Sequence, residues 1–220
     1  MTGSVPSAPG AERVIRWLGR VRVLPVMTVT DPRTVEPACL ALAAGGVTCV
    51  EITFRTACAA EAIAIASGLP GLLVGAGTLT DPDQVAVAAG AGASFAVAPG
   101  LNEQVLAAAV AAGLAFFPGI ATPSELDRAR SLGCTVLKVF PVAQLGGPAF
   151  LRAIAAPYPD VAFLPTGGIS DANLGEYLAL PSVLACGASW PCEPGLAAAG
   201  RYDEITRRAR AAAAAAREAR

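Results

Sequence analysis

Eight short apolar, often β-branched runs alternate with Ala-rich helical windows along this chain, and that alternation constrains the fold more than any other feature. The runs are 21–28 (VRVLPVMT), 49–55 (CVEITFR), 72–78 (LLVGAGT), 94–99 (SFAVAP), 115–120 (AFFPGI), 136–141 (VLKVFP), 161–166 (VAFLPT) and 183–189 (VLACGAS). Helical windows fall near 34–44, 57–67, 82–90, 102–112, 123–132, 147–156, 171–179 and 201–218, and an extra helix is expected at 11–19. Near-continuous apolar strands imply burial on both faces, hence a parallel sheet under helices. Eight β/α units in about 200 residues match an α/β protein of the (β/α)8 TIM-barrel type with an N-terminal extra helix. A doubly wound open sheet is the alternative, although it normally has fewer strands at this length.

The boundaries carry their own signals. Asp31-Pro32, Asp81-Pro82 and Thr122-Pro123 each place a capping residue before a proline suited to the first helical position. Thr122 and Glu125 have capping-box spacing. Gly45-Gly46, Gly90, Gly113 and Gly133 follow the helices, where a left-handed residue is wanted. Residues 1–10 (MTGSVPSAPG) read as a flexible tail and not a signal peptide, lacking both a basic start and an apolar core. Residues 11–220 are expected to form one barrel domain.

Composition narrows the function. The formal charge is −1, with 16 Lys+Arg against 17 Asp+Glu, and no basic block offers itself to a nucleic-acid backbone. The nearly uncharged stretches 85–101 and 104–121 are interrupted by Gly and Pro, so buried α/β layers fit them better than a membrane. No two of the six cysteines have C-x-x-C spacing, and reduced thiols in a cytoplasmic protein are the simplest expectation. The chain has no His, which removes His-based general bases, Ser-His-Asp triads and His-ligated metals.

The chemistry-bearing residues stand inside strands. In Val50-Glu51-Ile52-Thr53-Phe54-Arg55, alternation places Glu51, Thr53 and Arg55 on one face. A carboxylate and a guanidinium inside a barrel are costly unless paired or functional. Two readings remain: a structural Glu51–Arg55 pair, or a site at the carboxyl ends of the strands. Lys138 is the one lysine; the other cations are all arginines. It lies mid-strand, with both strand faces expected to be covered. A dry interior favours the neutral, nucleophilic form of a primary amine, a role guanidinium cannot fill. The plainer alternative is a packing pair with Glu51.

Thr166-Gly167-Gly168-Ile169-Ser170 and Gly187-Ala188-Ser189-Trp190 end the seventh and eighth strands. Gly-rich strand ends let backbone N–H groups approach an anion, and this is the usual phosphate position in the fold; Gly-Gly also makes ordinary turns. Gly75-Ala76-Gly77-Thr78 lacks the third glycine of a dinucleotide fingerprint. It is either a tight turn or a set of donors for a carboxylate.

With these residues in place, the chain resembles the KDPG and 4-hydroxy-2-oxoglutarate aldolases from about Val21 to Arg210. The resemblance is carried by LPVMTV (24–29), AGGVTCVEITFRT (44–56), VGAGTLT (74–80), FAVAPGLN (95–102), FFPGIATPSEL (116–126), LKVFPVAQLGG (137–147), FLPTGGIS (163–170) and GASW (187–190). It implies a class I lyase that needs no metal or cofactor, assembles as a homotrimer, and acts on small keto acids and aldehydes. KDPG would be cleaved to pyruvate and glyceraldehyde 3-phosphate, and 4-hydroxy-2-oxoglutarate to pyruvate and glyoxylate. By that resemblance Lys138 forms the Schiff base and Glu51 shuttles protons. Arg55 and Thr78 hold the pyruvyl carboxylate, Gly167, Gly168 and Ser189 bind phosphate, and Pro99 and Phe140 line the pocket. A phosphosugar isomerase or epimerase using Glu51 as base, and a non-catalytic keto-acid-binding trimer, are the alternatives. The chain departs from the family at Ala143, where Glu is usual, and at Leu145, where a polar residue is common. That departure leaves the preference between phosphorylated and shorter keto acids open.

Overall fold

The computed structural model describes residues 10–219, so the expected tail over 1–10 lies, apart from Gly10, outside the described residues. Helix α1 (Ala11–Val21) precedes the repeating pattern. There follow β1 (Val23–Met27), α2 (Val35–Ala44), β2 (Cys49–Thr53), α3 (Ala59–Ser67), β3 (Leu73–Gly77), α4 (Pro82–Gly90), β4 (Phe95–Val97) and α5 (Glu103–Ala111). The second half contains β5 (Ala115–Phe117), β6 (Gly119–Ile120), α6 (Pro123–Ser131), β7 (Val136–Val139), α7 (Gly147–Ala155), β8 (Ala162–Pro165), α8 (Leu174–Leu178) and β9 (Cys186–Ala188). Helices α9 (Pro194–Ala198) and α10 (Tyr202–Glu218) close the sequence of elements.

All paired strands run parallel. One sheet has the order β5-β4-β3-β2-β1-β9 and a second has β6-β7-β8. The expected fifth strand is divided at Pro118, which has no N–H for the ladder. Its carbonyl still accepts from Lys138 N at 2.9 Å. Beyond β8, single bridges pair Phe163 with Val183 and Thr166 with Gly187.

Local chemistry explains most boundaries. Asp81 and Gln84 form a capping box: Asp83 N donates to Asp81 Oδ1 (2.8 Å) and Asp81 N to Gln84 Oε1 (3.3 Å). Thr122 and Glu125 form the second, and a cap of this kind is worth about 1 kcal/mol. Asp31 caps a short 3-10 turn, Pro32–Thr34, that leads into α2. After α4 the left-handed residue is Gly92 (φ 94°), not Gly90, because the turn runs two residues further before reversing. The helix expected over 171–179 is shorter, at Leu174–Leu178. The Asn173 side chain accepts from Ser170 N (2.8 Å) and donates to Gly168 O (3.0 Å), which holds 168–173 as a loop.

The strands bury almost everything they carry. Phe95, Ile52, Leu137 and Phe163 are fully covered, and each such side chain contributes about 1.5–3 kcal/mol of transfer free energy. Helix α10 turns Ile205, Ala209, Ala212, Ala213 and Ala216 inward. No helix among the described residues is long and apolar enough to cross a membrane. Against this apolar background the buried polar side chains are Glu51, Thr53, Lys138 and Thr166, and their placement defines the site.

Candidate active site

Glu51 lies in β2, in register with Val26 of β1 and Gly75 of β3. Lys138 lies in β7, opposite Gly119 of β6 and Leu164 of β8. The strands bring the two together: Lys138 Nζ is 3.4 Å from Glu51 Oε1, with side-chain exposures of 6% and 1%. That separation is long beside the roughly 2.7–2.9 Å of a tight charge-assisted hydrogen bond. Glu51 Oε2 is buried and has no hydrogen-bond partner among the described residues. A carboxyl group removed from water and left half-bonded is costly, and an arriving water or ligand would relieve the cost. The ammonium also lies 5.4 Å from the centroid of the Phe140 ring, within cation–π range.

The Glu51–Arg55 pair considered from the sequence does not form. Strand β2 ends at Thr53, so Arg55 sits in the following turn, exposed and without a salt bridge among the described residues. It stands on the wall of a cavity of about 310 Å³, together with Phe140, Gly167, Gly168 and Ser189. Five of the nine expected site residues thus share one cavity, and Lys138 lies behind its Phe140 wall.

The outer end of this cavity is a backbone turn. Gly167 (φ 96°) and Gly168 (φ 81°) occupy left-handed conformations that a side chain would strain. Val142 N donates to Thr166 O (2.9 Å) and Ala143 N to Gly167 O (3.1 Å), tying this turn to the segment after Lys138. The Ala143 methyl fills the space where a β-carbon at Gly168 would project. Ala143 therefore packs directly on the glycine turn.

Thr78 and Pro99 follow β3 and β4 but are not on this cavity's wall. Thr78 has φ 61°, an unfavourable conformation for a β-branched residue and a mark of a constrained position. The Pro99 carbonyl packs against Gly119, the register partner of Lys138. Three wall residues were not singled out from the sequence, Val26, Thr28 and Pro194. Thr28 Oγ1 is 3.0 Å from Thr53 Oγ1, and the parity of β1 could have revealed it. Nothing in the sequence marks Pro194.

The arrangement is that of the α/β proteins that carry their chemistry at the carboxyl ends of parallel strands. Within that class, the chain belongs to the KDPG and KHG aldolase family, whose model matches residues 14–208. The KHG/KDPG aldolase of Escherichia coli K12 is 47% identical over 191 residues, 86% of this chain and 90% of that one. The 2-dehydro-3-deoxy-phosphogluconate aldolase of Treponema pallidum is 46% identical over 194 residues, 88% and 92% of the two chains. A KDPG aldolase from Legionella pneumophila, solved with pyruvate captured at low pH as a covalent carbinolamine intermediate, superposes with a TM-score of 0.86. It is 35% identical, over 90% of this chain and 97% of the other.

Proposed function

We propose that this protein is a Schiff-base aldolase that reversibly cleaves KDPG to pyruvate and glyceraldehyde 3-phosphate. On the same reading it also cleaves 4-hydroxy-2-oxoglutarate to pyruvate and glyoxylate. The observation that carries it is the buried Lys138–Glu51 pair with its unpartnered carboxylate oxygen. Lys138 Nζ attacks the C2 carbonyl and forms a carbinolamine. Glu51 protonates the departing hydroxyl, water leaves, and an iminium remains. Glu51, now ionised, takes the proton of the C4 hydroxyl. The C3–C4 bond breaks, the aldehyde departs, and the electron pair passes through C3 into the iminium as an enamine. Protonation at C3 and hydrolysis release pyruvate and free the amine. The iminium is the electron sink, so the sequence of steps calls on no metal or cofactor.

Arg55 is suited to a two-pronged grip on the pyruvyl carboxylate, with Thr78 as a second donor. Phe140 and Pro99 flank the keto acid, and the Gly167-Gly168 turn with Ser189 receives the phosphate. Support for the phosphate position comes from the paired left-handed glycines on the cavity wall. The family match speaks against the isomerase or epimerase alternative.

The architecture proposed for residues 11–220 is one domain, a single closed (β/α)8 barrel. In its favour, only Pro118 parts β5 from β6, β9 pairs with β1, and the two bridges link β8 towards β9. A homotrimer in the cytoplasm rests on the family resemblance alone. Incubation with pyruvate and borohydride tests the chemistry: intact mass should show one reduced pyruvyl adduct per chain, mapped to Lys138. An unmodified chain overturns the proposal.

A further inference from the structure

Helix α10 is hydrogen-bonded to the loop beside the cavity through Arg208. Arg208 Nη1 donates to Trp190 O (2.8 Å) and to Glu193 Oε2 (3.0 Å), while Nε donates to Glu204 Oε1 (2.8 Å). Its side chain is only 24% exposed. The two residues it holds bracket the 3-10 turn Trp190–Cys192, which follows Ser189 directly and precedes Pro194. Ser189 and Pro194 both stand on the cavity wall. The same turn is closed by Cys192 N donating to Ser189 O at 3.1 Å. Arg208 therefore does not reach the substrate cavity, yet it fixes both ends of the loop that forms its outer wall. Glu204 is itself shared with Arg207 (2.6 Å), so Arg208 is anchored at the helix end as well.

We propose that Arg208 is a positioning residue that sets the preference for phosphorylated substrates, by holding Ser189 in place opposite the Gly167-Gly168 turn. This deepens the aldolase reading and rests on its assignment of the phosphate to that end of the cavity. Glu51 and Lys138 lie on β2 and β7, and neither is bonded to Arg208. Loss of the clamp therefore acts on KM for a phosphorylated substrate and leaves the imine chemistry alone. An arginine is needed because a lysine ammonium cannot span three acceptors on two segments with fixed geometry.

The test compares steady-state cleavage of KDPG and 4-hydroxy-2-oxoglutarate, with pyruvate–borohydride trapping, in wild type, Arg208→Met, Arg208→Lys and Arg130→Met. Arg130 pairs with Asp160 away from the cavity and serves as the control. Arg208→Met should raise KM for KDPG about tenfold with kcat within about twofold, the signature of lost ground-state positioning. KM for 4-hydroxy-2-oxoglutarate and adduct yield should stay at wild-type values, Arg208→Lys should behave like Arg208→Met, and Arg130→Met like wild type. An equal change for both substrates, or no change, overturns the proposal. Should Arg208→Met not fold, Glu193→Gln removes one charged partner of the clamp and must shift KM for KDPG alone, in the same direction. If wild type itself handles the two substrates alike and inorganic phosphate does not compete with KDPG, the phosphate assignment falls and this proposal with it. If wild type discriminates and Arg208→Met discriminates equally, only the role of Arg208 falls.

Discussion

Gly77 and Glu51 occupy one another's space: a β-carbon built on Gly77 would overlap the Glu51 carboxyl group. Gly77 pairs in register with Thr53, one inward position beyond Glu51 on the neighbouring strand. The GAGT segment thus does something besides turn the chain; it leaves a hole in β3 into which the carboxylate folds on its way to Lys138.

Gly77→Ala should push the Glu51 carboxyl group away from Lys138. A displacement of about 1 Å at a reacting group can cost roughly a hundredfold in rate, so kcat for KDPG should fall by about that factor. Overpacking should cost about 1–3 kcal/mol in a urea titration, leaving a folded protein. Gly90→Ala, where the added methyl meets nothing within 4 Å, is the control and should match wild type in kcat. A Gly77→Ala enzyme of normal kcat would mean that the position of Glu51 is not critical.

The Lys138–Glu51 pair predicts a separation of activity from stability. Glu51→Gln should lower kcat by about two to four powers of ten, the range for a lost acid/base group. Lys138→Ala should abolish cleavage and cost about 3 kcal/mol, because it strands a carboxyl group that is 1% exposed. Adding Glu51→Gln to Lys138→Ala should return at least about 1 kcal/mol, since neighbours in one pair are not additive. Urea midpoints of the two single variants and the double variant check this; strictly additive losses would show that the pair is uncoupled.

Most of this site was legible because strand alternation is a strict rule. Parity put Glu51 on an inward face, and the solitary lysine among arginines drew attention to Lys138. What the pattern could not reach was the end of β2: nothing in VEITFRT says that the strand stops at Thr53 and that Arg55 leaves the Glu51 face for the cavity rim. The β5/β6 division was readable in principle, since Pro118 lies inside the run, but the flanking apolar residues masked it. The α9 turn and Pro194 were invisible because Gly, Pro and Ala in 194–200 carry no periodicity. Arg208 was hidden for another reason: its partners lie 15 and 18 residues back, across a loop whose path depends on the whole fold.

Acid should remove the contribution of Glu204 to stability. Arg207 first, then Arg208, hold the Glu204 carboxyl down at about 2. In the unfolded chain a glutamate titrates near about 4.3. The folded value is the lower one, so its contribution is complete above about pH 4.3 and is lost as pH falls towards about 2. The difference in melting temperature between wild type and Glu204→Gln should be constant from pH 7 to about 5 and should close between about 4 and 2.5. A difference that stays constant down to pH 2.5 would remove Glu204 from acid sensitivity.

Burial also sorts the six thiols by reactivity. Desolvation pushes Cys39 up to about 12 and Cys134 up to about 11, and it raises Cys49, Cys186 and Cys192 as well. The thiolate is the reactive form, so these five are protected twice, by protonation and by lack of access. Cys58, at the start of α3, is half-buried where the other five are buried. Its Sγ donates to Val29 O at 3.1 Å, in the loop that follows β1. Iodoacetamide at pH 8 should therefore label the native protein once, at Cys58, and the denatured protein six times, as read by intact mass and peptide mapping. Rapid native labelling at Cys39 or Cys192 would show that the packing between α2 and the Trp190–Cys192 turn opens readily. The rim held by Arg208 would then be a moving part and not a fixed wall.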